Sequence, residues 1–268
     1  MRRWIAALLL VLPLSALAGQ TCSHEPPTVA EIERGMALAQ ATAIRLDASG
    51  ARVVLLARAG QDLSEYGLRW SHFGFVYKTR EGSWRVLHKL NECGSANSAL
   101  YRQGLGEFFM DKPWRYEAAF VVPKPELQEA LLPLLSAQRG ANLGAKLDGN
   151  DRVDLLNEPR YSMVAYAWGT RYQQSNQWAL ETLAMAASPE VRSRQTAQDW
   201  LRAHGYRPGV LHLSALKRLG AETTRANVSF SDHPSGERFA GRIATVTADS
   251  VFSWMPRAGL SSSVELVP

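Results

Sequence analysis

The chain has 268 residues with a formal charge of +5, 46% hydrophobic and 21% charged, an ordinary globular composition with enough apolar material for a full core. Bases and acids are interspersed, with no run of five like charges, which removes the electrostatic footprint of a nucleic-acid binder. After residue 18 no stretch approaches the roughly 20 uncharged apolar residues of a membrane-spanning helix.

The first eighteen residues, MRRWIAALLLVLPLSALA, combine two arginines, an apolar run from Trp4 to Leu14 and the small-x-small ending Ala16-Leu17-Ala18. This is the pattern of a secretory signal peptide, cleaved near Ala18, and it predicts a periplasmic or secreted protein. Loss of Arg2 and Arg3 lowers the formal charge from +5 to +3. Cys22 stands four positions past Ala18, not directly after it, which argues against a lipid anchor. The only cysteines are Cys22 and Cys93, and an oxidising compartment favours their pairing. Closing that loop of about 70 residues contributes on the order of 4 kcal/mol in the chain-entropy model. The rival reading, Cys93 as a free nucleophile, leaves Cys22 unexplained.

Thr28-Val-Ala-Glu31 is a capping box, and Val29, Ile32, Met36, Ala39, Ala43 and Leu46 follow at helical spacing. Residues 52–58, 68–78, 84–90 and 116–122 are short, rich in β-branched and aromatic residues, and read as strands. The second and third form an antiparallel hairpin across TREGS. Pro125-Glu126 opens a second helix with Pro133 as a kink, and the Gly-rich stretch 139–150 reads as the best linker. A helix over 176–187, another capped by Thr196-Ala-Gln-Asp199 and stopped at Gly205, and a short one over 214–219 follow; residues 241–254 read as one or two late strands. Residues 19–268 form one domain, with 19–138 carrying the first helix and the hairpin sheet and 151–268 a helical part with late strands.

His72 enters one hairpin strand and His88 nearly ends the next, so a suitable register sets the rings side by side and lets one orient the other. That is the base-plus-orienter half of a nucleophilic triad. It predicts both rings on the face that meets the helix beginning near Ser175. The bland alternative is a strand-edge His72 and a half-buried His88.

His72-Phe73-Gly74-Phe75-Val76-Tyr77, with Trp84-Arg85-Val86-Leu87-His88 on the next strand, resembles the histidine hairpin of the NlpC-type, papain-like cell-wall peptidase superfamily. No matching cysteine stands between Gly19 and His72, so the nucleophile position lies downstream, the circularly permuted order of lecithin-retinol acyltransferase-like proteins. Tyr172-Gln-Gln-Ser175-Asn176-Gln177-Trp178 matches that frame, with Ser175 in place of the cysteine. The chain also resembles an uncharacterised family of secreted bacterial proteins of unknown function, through Phe108-Phe109-Met110-Asp111-Lys112-Pro113, Arg115-Tyr116-Glu117 and Ser175-Asn176-Gln177-Trp178.

The resemblance implies an α+β fold, an antiparallel sheet with packed helices around a permuted papain-like core. It implies Ser175 as nucleophile, His72 as base and His88 as its orienter, with Gln174, Asn176 and Tyr172 as ligand-binding neighbours. The serine departs from the pattern, since a thiol has an appreciable thiolate fraction at neutral pH whereas a hydroxyl needs its base to remove the proton during attack. Ser175 also fits a plain helix cap or a binding residue. Tyr161, Tyr166, Trp168 and Tyr172 either floor a groove or simply pack, and Trp178 is expected in the core. His24, His204, His212 and His233 lack partners at metal spacing, so no metal and no cofactor is expected. Three functions remain open: a binding module for an envelope peptide, glycan or lipid without efficient catalysis, a Ser-His amidase, esterase or acyltransferase, and an envelope assembly partner.

Overall fold

The computed structural model describes residues 26–136, 146 and 152–268. The expected signal segment, Cys22, His24 and nearly all of the Gly-rich connection lie outside the described residues, and so does one end of the expected Cys22–Cys93 bridge.

The first helix, α1, spans Val29–Ala48 behind the expected Thr28–Glu31 capping box. Its buried side differs from the expected stripe. Gly35, Leu38, Ala39, Thr42 and Leu46 are buried, whereas Val29 is 72% and Met36 48% exposed. The small Gly35 decides the rotation, because a Cβ there would stand 3.1 Å from the Phe109 carbonyl oxygen, so α1 lays its small-residue side on the neighbouring short helix.

Strands β1 (Val53–Arg58), β2 (His72–Lys78), β3 (Trp84–Asn91), β4 (Ser98–Gly104), β5 (Ala118–Val121) and β8 (Glu265–Val267) form one antiparallel sheet in the order β4-β3-β2-β1-β5-β8. The β2–β3 turn is the expected TREGS. A two-stranded ribbon pairs β6 (Gly209–His212) with β7 (Arg242–Thr245).

The remaining helices are α2 (Leu105–Phe109), α3 (Pro125–Ser136), α4 (Ser175–Ala187), α5 (Arg194–Ala203), α6 (Ala215–Thr224), α7 (Ser235–Phe239) and α8 (Ala248–Arg257). Pro133 lies inside α3. The cap of α5 is Ser193, whose hydroxyl accepts from the Thr196 amide, so the helix starts before the expected Thr196 cap. The late-strand reading fails after Thr245: Thr247 caps α8 by accepting from the Ser250 amide, and Val251, Phe252, Trp254 and Met255 bury a helical face.

The sheet separates two apolar cores. One side joins Val54, Leu56, Val76, Val86 and Phe120 to α1 and α2 through Leu38, Leu46, Phe108 and Phe109. The other joins Leu55, Phe73, Phe75, Tyr77 and Leu87 to α3, α4 and α8 through Leu131, Trp178, Leu183 and Phe252. Trp178 is fully buried there, edge-on to Phe75 at 5.9 Å. Alternation along each strand therefore assigns every side chain to one layer or the other. The chain is an α+β fold with helices on both faces of an antiparallel sheet.

Candidate active site

On β2 the residues of one parity, Phe73, Phe75 and Tyr77, face the α4 layer, so His72 and Gly74 face the α1–α2 layer with Val76. On β3 His88 shares that parity with Val86. The hairpin thus brings the two imidazoles together: His72 Nε2 lies 2.8 Å from His88 Nδ1. Gly74 makes the approach possible, since a Cβ on it would stand 2.8 Å from His88 Cβ.

The relay continues into β4, where Gln103 Oε1 lies 2.8 Å from His88 Nε2. An amide oxygen accepts only, so His88 carries its hydrogen on Nε2 and its bare Nδ1 accepts from His72 Nε2–H. Both rings are neutral in this arrangement. Burial pushes His88 down to about 3, with the Arg58 guanidinium adding to the effect. Burial, then His88 and Arg58, hold His72 well below 6.5.

Phe108 packs against both rings, with centroids 6.0 Å from His72 and 5.3 Å from His88. Arg58, opposite His72 in the β1–β2 register, lies over Phe108, donates to the Phe108 carbonyl oxygen and pairs with Asp111 at 2.7 Å. Phe108 therefore walls the histidine pair, and Arg58 ties it to Asp111.

Ser175 stands across the sheet from this pocket. It opens α4, whose Trp178 belongs to the other core, and its Oγ pairs with the buried Tyr161 hydroxyl at 3.3 Å. Burial holds that phenol above its usual range, and the hydrogen bond to Ser175 pulls the other way. The expectation that both imidazoles face the Ser175 helix is thus corrected. They share a face, but it is the opposite one, and no hydrogen bond among the described residues joins either ring to Ser175.

The cap of α4 is Gln174, not Ser175: its side chain accepts from the Asn176 amide while its Nε2 donates to Thr245 Oγ1 at 3.0 Å and the Val246 carbonyl oxygen at 2.5 Å. Asn176 Oδ1 accepts from the Phe73 amide at 3.1 Å, and its Nδ2 reaches the Val246 carbonyl oxygen at 3.4 Å. Both expected ligand donors are joints between α4, the start of β2 and the end of β7. Tyr172 is half-buried and meets Ser231 at 3.3 Å near the surface.

A polar network under the sheet was not anticipated. Lys89, on the α4 side of β3, is fully buried and donates to Asn157 Oδ1 at 2.5 Å, the Glu158 carbonyl oxygen at 2.7 Å and Gln173 Oε1 at 2.9 Å. Gln173 passes the chain to Glu181 at 2.6 Å, which pairs with Arg194 at 2.7 Å and accepts from Gln198 at 2.8 Å. Burial pushes the Lys89 ammonium down to about 7, with Arg194 adding to the shift and Glu181 leading the opposing carboxylates. Two signals in the sequence point to this network: a lysine two residues after the core residue Leu87, and a glutamate inside the apolar run QWALETLAMAA.

His204 stacks on Trp200 at 3.8 Å, His212 is exposed on β6, and His233 Nε2 donates to the Val164 carbonyl oxygen at 2.8 Å. Among the described residues no group of three His, Cys, Asp or Glu is placed to hold a metal ion, and no helix is long and apolar enough to cross a membrane.

No curated protein and no solved structure matches the chain. Phe108, which packs on both imidazoles, and the Ser175 helix both fall inside the matched region of a family: the chain belongs to the family described as uncharacterized protein conserved in bacteria (DUF2145), over residues 45–255.

Proposed function

We propose that the protein is a binding module of the bacterial cell envelope, exported by its N-terminal signal and holding an envelope peptide, glycan or lipid without efficient catalysis. One observation carries this reading: the histidine pair is built, neutral and oriented, yet it is turned away from the only nucleophile that the resemblance supplies. A serine hydroxyl without a base within reach has no route to acyl transfer. The order of histidine hairpin first and Ser175 helix second supports a permuted papain-like ancestry, and the separation of base from nucleophile supports loss of its chemistry. The half-buried Tyr172, beside Ser231 at the entrance to the Ser175 helix, is the ligand contact of this reading.

Incubation of the purified chain with peptidoglycan sacculi and with envelope phospholipid tests it. Retention of the chain on one of these, weakened by Tyr172→Ala and without release of soluble fragments or fatty acid, is the expected result. Release that disappears in Ser175→Ala would establish the hydrolase instead.

A further inference from the structure

The segment 206–246 holds the β6–β7 ribbon, α6 and α7 over a small core of Leu213, Val228, Phe230 and Ile243. It contains six basic residues (Arg207, Lys217, Arg218, Arg225, Arg238, Arg242) against three acidic ones (Glu222, Asp232, Glu237), a net +3. Residues 19–268 as a whole also carry +3, so the rest of that span is neutral and the excess cation sits here. Among the described residues Arg225 and Arg238 make no ion pair, and the Asp232 side chain is only 3% exposed.

The helices of this segment are turned apolar side out. In α6 it is Ala221 that packs on the small core, with Arg218 half-buried one turn earlier. The opposite side presents Leu216, 82% exposed, and Leu219, 61% exposed, with Gly220 and Thr223. Phe239, 75% exposed, ends α7 with the Arg238 guanidinium 5.2 Å from its ring. The ribbon brings the start of α6 near the end of α7: the Leu213 amide just before α6 donates to the Gly241 carbonyl oxygen just after α7 at 2.9 Å, and Arg218 of α6 donates back to the Leu213 carbonyl oxygen at 2.7 Å. Leu216 and Leu219 near the start of α6 and Phe239 at the end of α7 thus lie at the same end of the ribbon; Lys217 there is paired with Glu65, whereas Arg225 and Arg238 are left without an acidic partner among the described residues.

We propose that this end of the ribbon docks the protein on an anionic phospholipid surface, the leucines and phenylalanine entering the headgroup boundary and the cations lying against the phosphates. Large apolar side chains left this open beside excess positive charge are what an interfacial helix requires, with apolar burial and lipid charge acting together. A second copy of the chain would meet the same cations and be repelled. Leu216, Leu219 and Phe239 are not among the hydrogen-bond partners of Tyr172, Gln174, Ser175 or Asn176, and the proposal stands whether or not that region binds a ligand.

Flotation of the purified chain with vesicles of phosphatidylglycerol and phosphatidylethanolamine, compared with phosphatidylcholine alone, tests the proposal. The wild type floats with the anionic vesicles at low salt and is released as salt is raised. The triple variant Leu216→Ser, Leu219→Ser, Phe239→Ser partitions at least about tenfold more weakly, equivalent to about 1.4 kcal/mol. Arg225→Gln with Arg238→Gln weakens binding to anionic vesicles and flattens the salt dependence. All these side chains are largely exposed except that of Arg238, so an unchanged circular dichroism spectrum and melting curve confirms that the fold is intact. Wild type that stays in solution, or a triple variant that floats equally well, overturns the proposal. A wild-type dimer in sedimentation that the triple variant abolishes, with no flotation, assigns these side chains to a second copy instead.

Discussion

His72 donates to His88 across 2.8 Å on the face of the sheet that α4 does not cover, and burying both rings makes the stability of the fold depend on pH. Both rings are neutral when folded, His88 held down to about 3 and His72 well below 6.5, whereas the unfolded chain protonates both near 6.5. Between those limits the unfolded state binds more protons. The stability contributed by neutral burial is therefore complete above about pH 6.5 and falls as pH drops toward about 3. His88 contributes a slope approaching about 1.4 kcal/mol per pH unit within the window, and His72 acts in the same direction. Replacing His88 by Gln removes one such proton, so urea unfolding at about pH 7.5 and about pH 5.5 should show a stability loss smaller by about 1 kcal/mol in the variant. Equal losses in the two proteins contradict the assignment.

Gly74→Ala tests the closeness of the hairpin. A methyl group there would meet His88 Cβ at 2.8 Å and the Leu87 carbonyl oxygen at 3.1 Å. Overpacking of this kind costs about 1–3 kcal/mol, more than the roughly 0.5–1 kcal/mol gained by removing a glycine from a regular element. The variant is expected to lose about 1–2 kcal/mol in urea unfolding. A neutral or stabilised variant means that the strands are not this close.

The elements were legible where local rules suffice and failed where a choice between layers was required. The Thr28–Glu31 box, the TREGS hairpin, the Ser175 helix and the buried Trp178 follow from caps, turn residues and periodicity. The pairing of His72 with His88 followed from the hairpin register. Their direction did not, because every residue from His72 to Tyr77 is buried and a strand covered on both sides carries no alternation to say which layer holds α4. The β4 strand escaped because four of its seven residues, Tyr101 to Gly104, are only half-buried. The roles of Gln174 and Asn176 escaped because their partners, Val246 and Phe73, lie 72 and 103 residues away in sequence.

Lys89→Met tests the buried network. The substitution keeps the stem but leaves Asn157 Oδ1, the Glu158 carbonyl oxygen and Gln173 Oε1 without their donor. Each orphaned acceptor costs about 1 kcal/mol, offset in part by removal of a buried cation, for an expected net loss of about 2 kcal/mol. Hydrogen exchange should quicken in residues 156–160, which the ammonium ties to the sheet. Unchanged exchange with unchanged stability would show that these acceptors find other donors.

The separation of His72 from Ser175 is tested most directly by the reactivity of an introduced thiol. In Ser175→Cys the rate of alkylation by iodoacetamide, followed from about pH 5 to about pH 9, reports the thiol pKa, which a neighbouring imidazole would depress well below about 8.5. The profile is then repeated with His72→Gln added. Because the imidazole lies across the sheet, the two profiles should coincide, any lowering in both coming from the N-terminus of α4 alone. A thiol in the single variant that reacts fully near pH 6 and loses that reactivity with His72→Gln would contradict the separation and restore Ser175 and His72 as a catalytic pair.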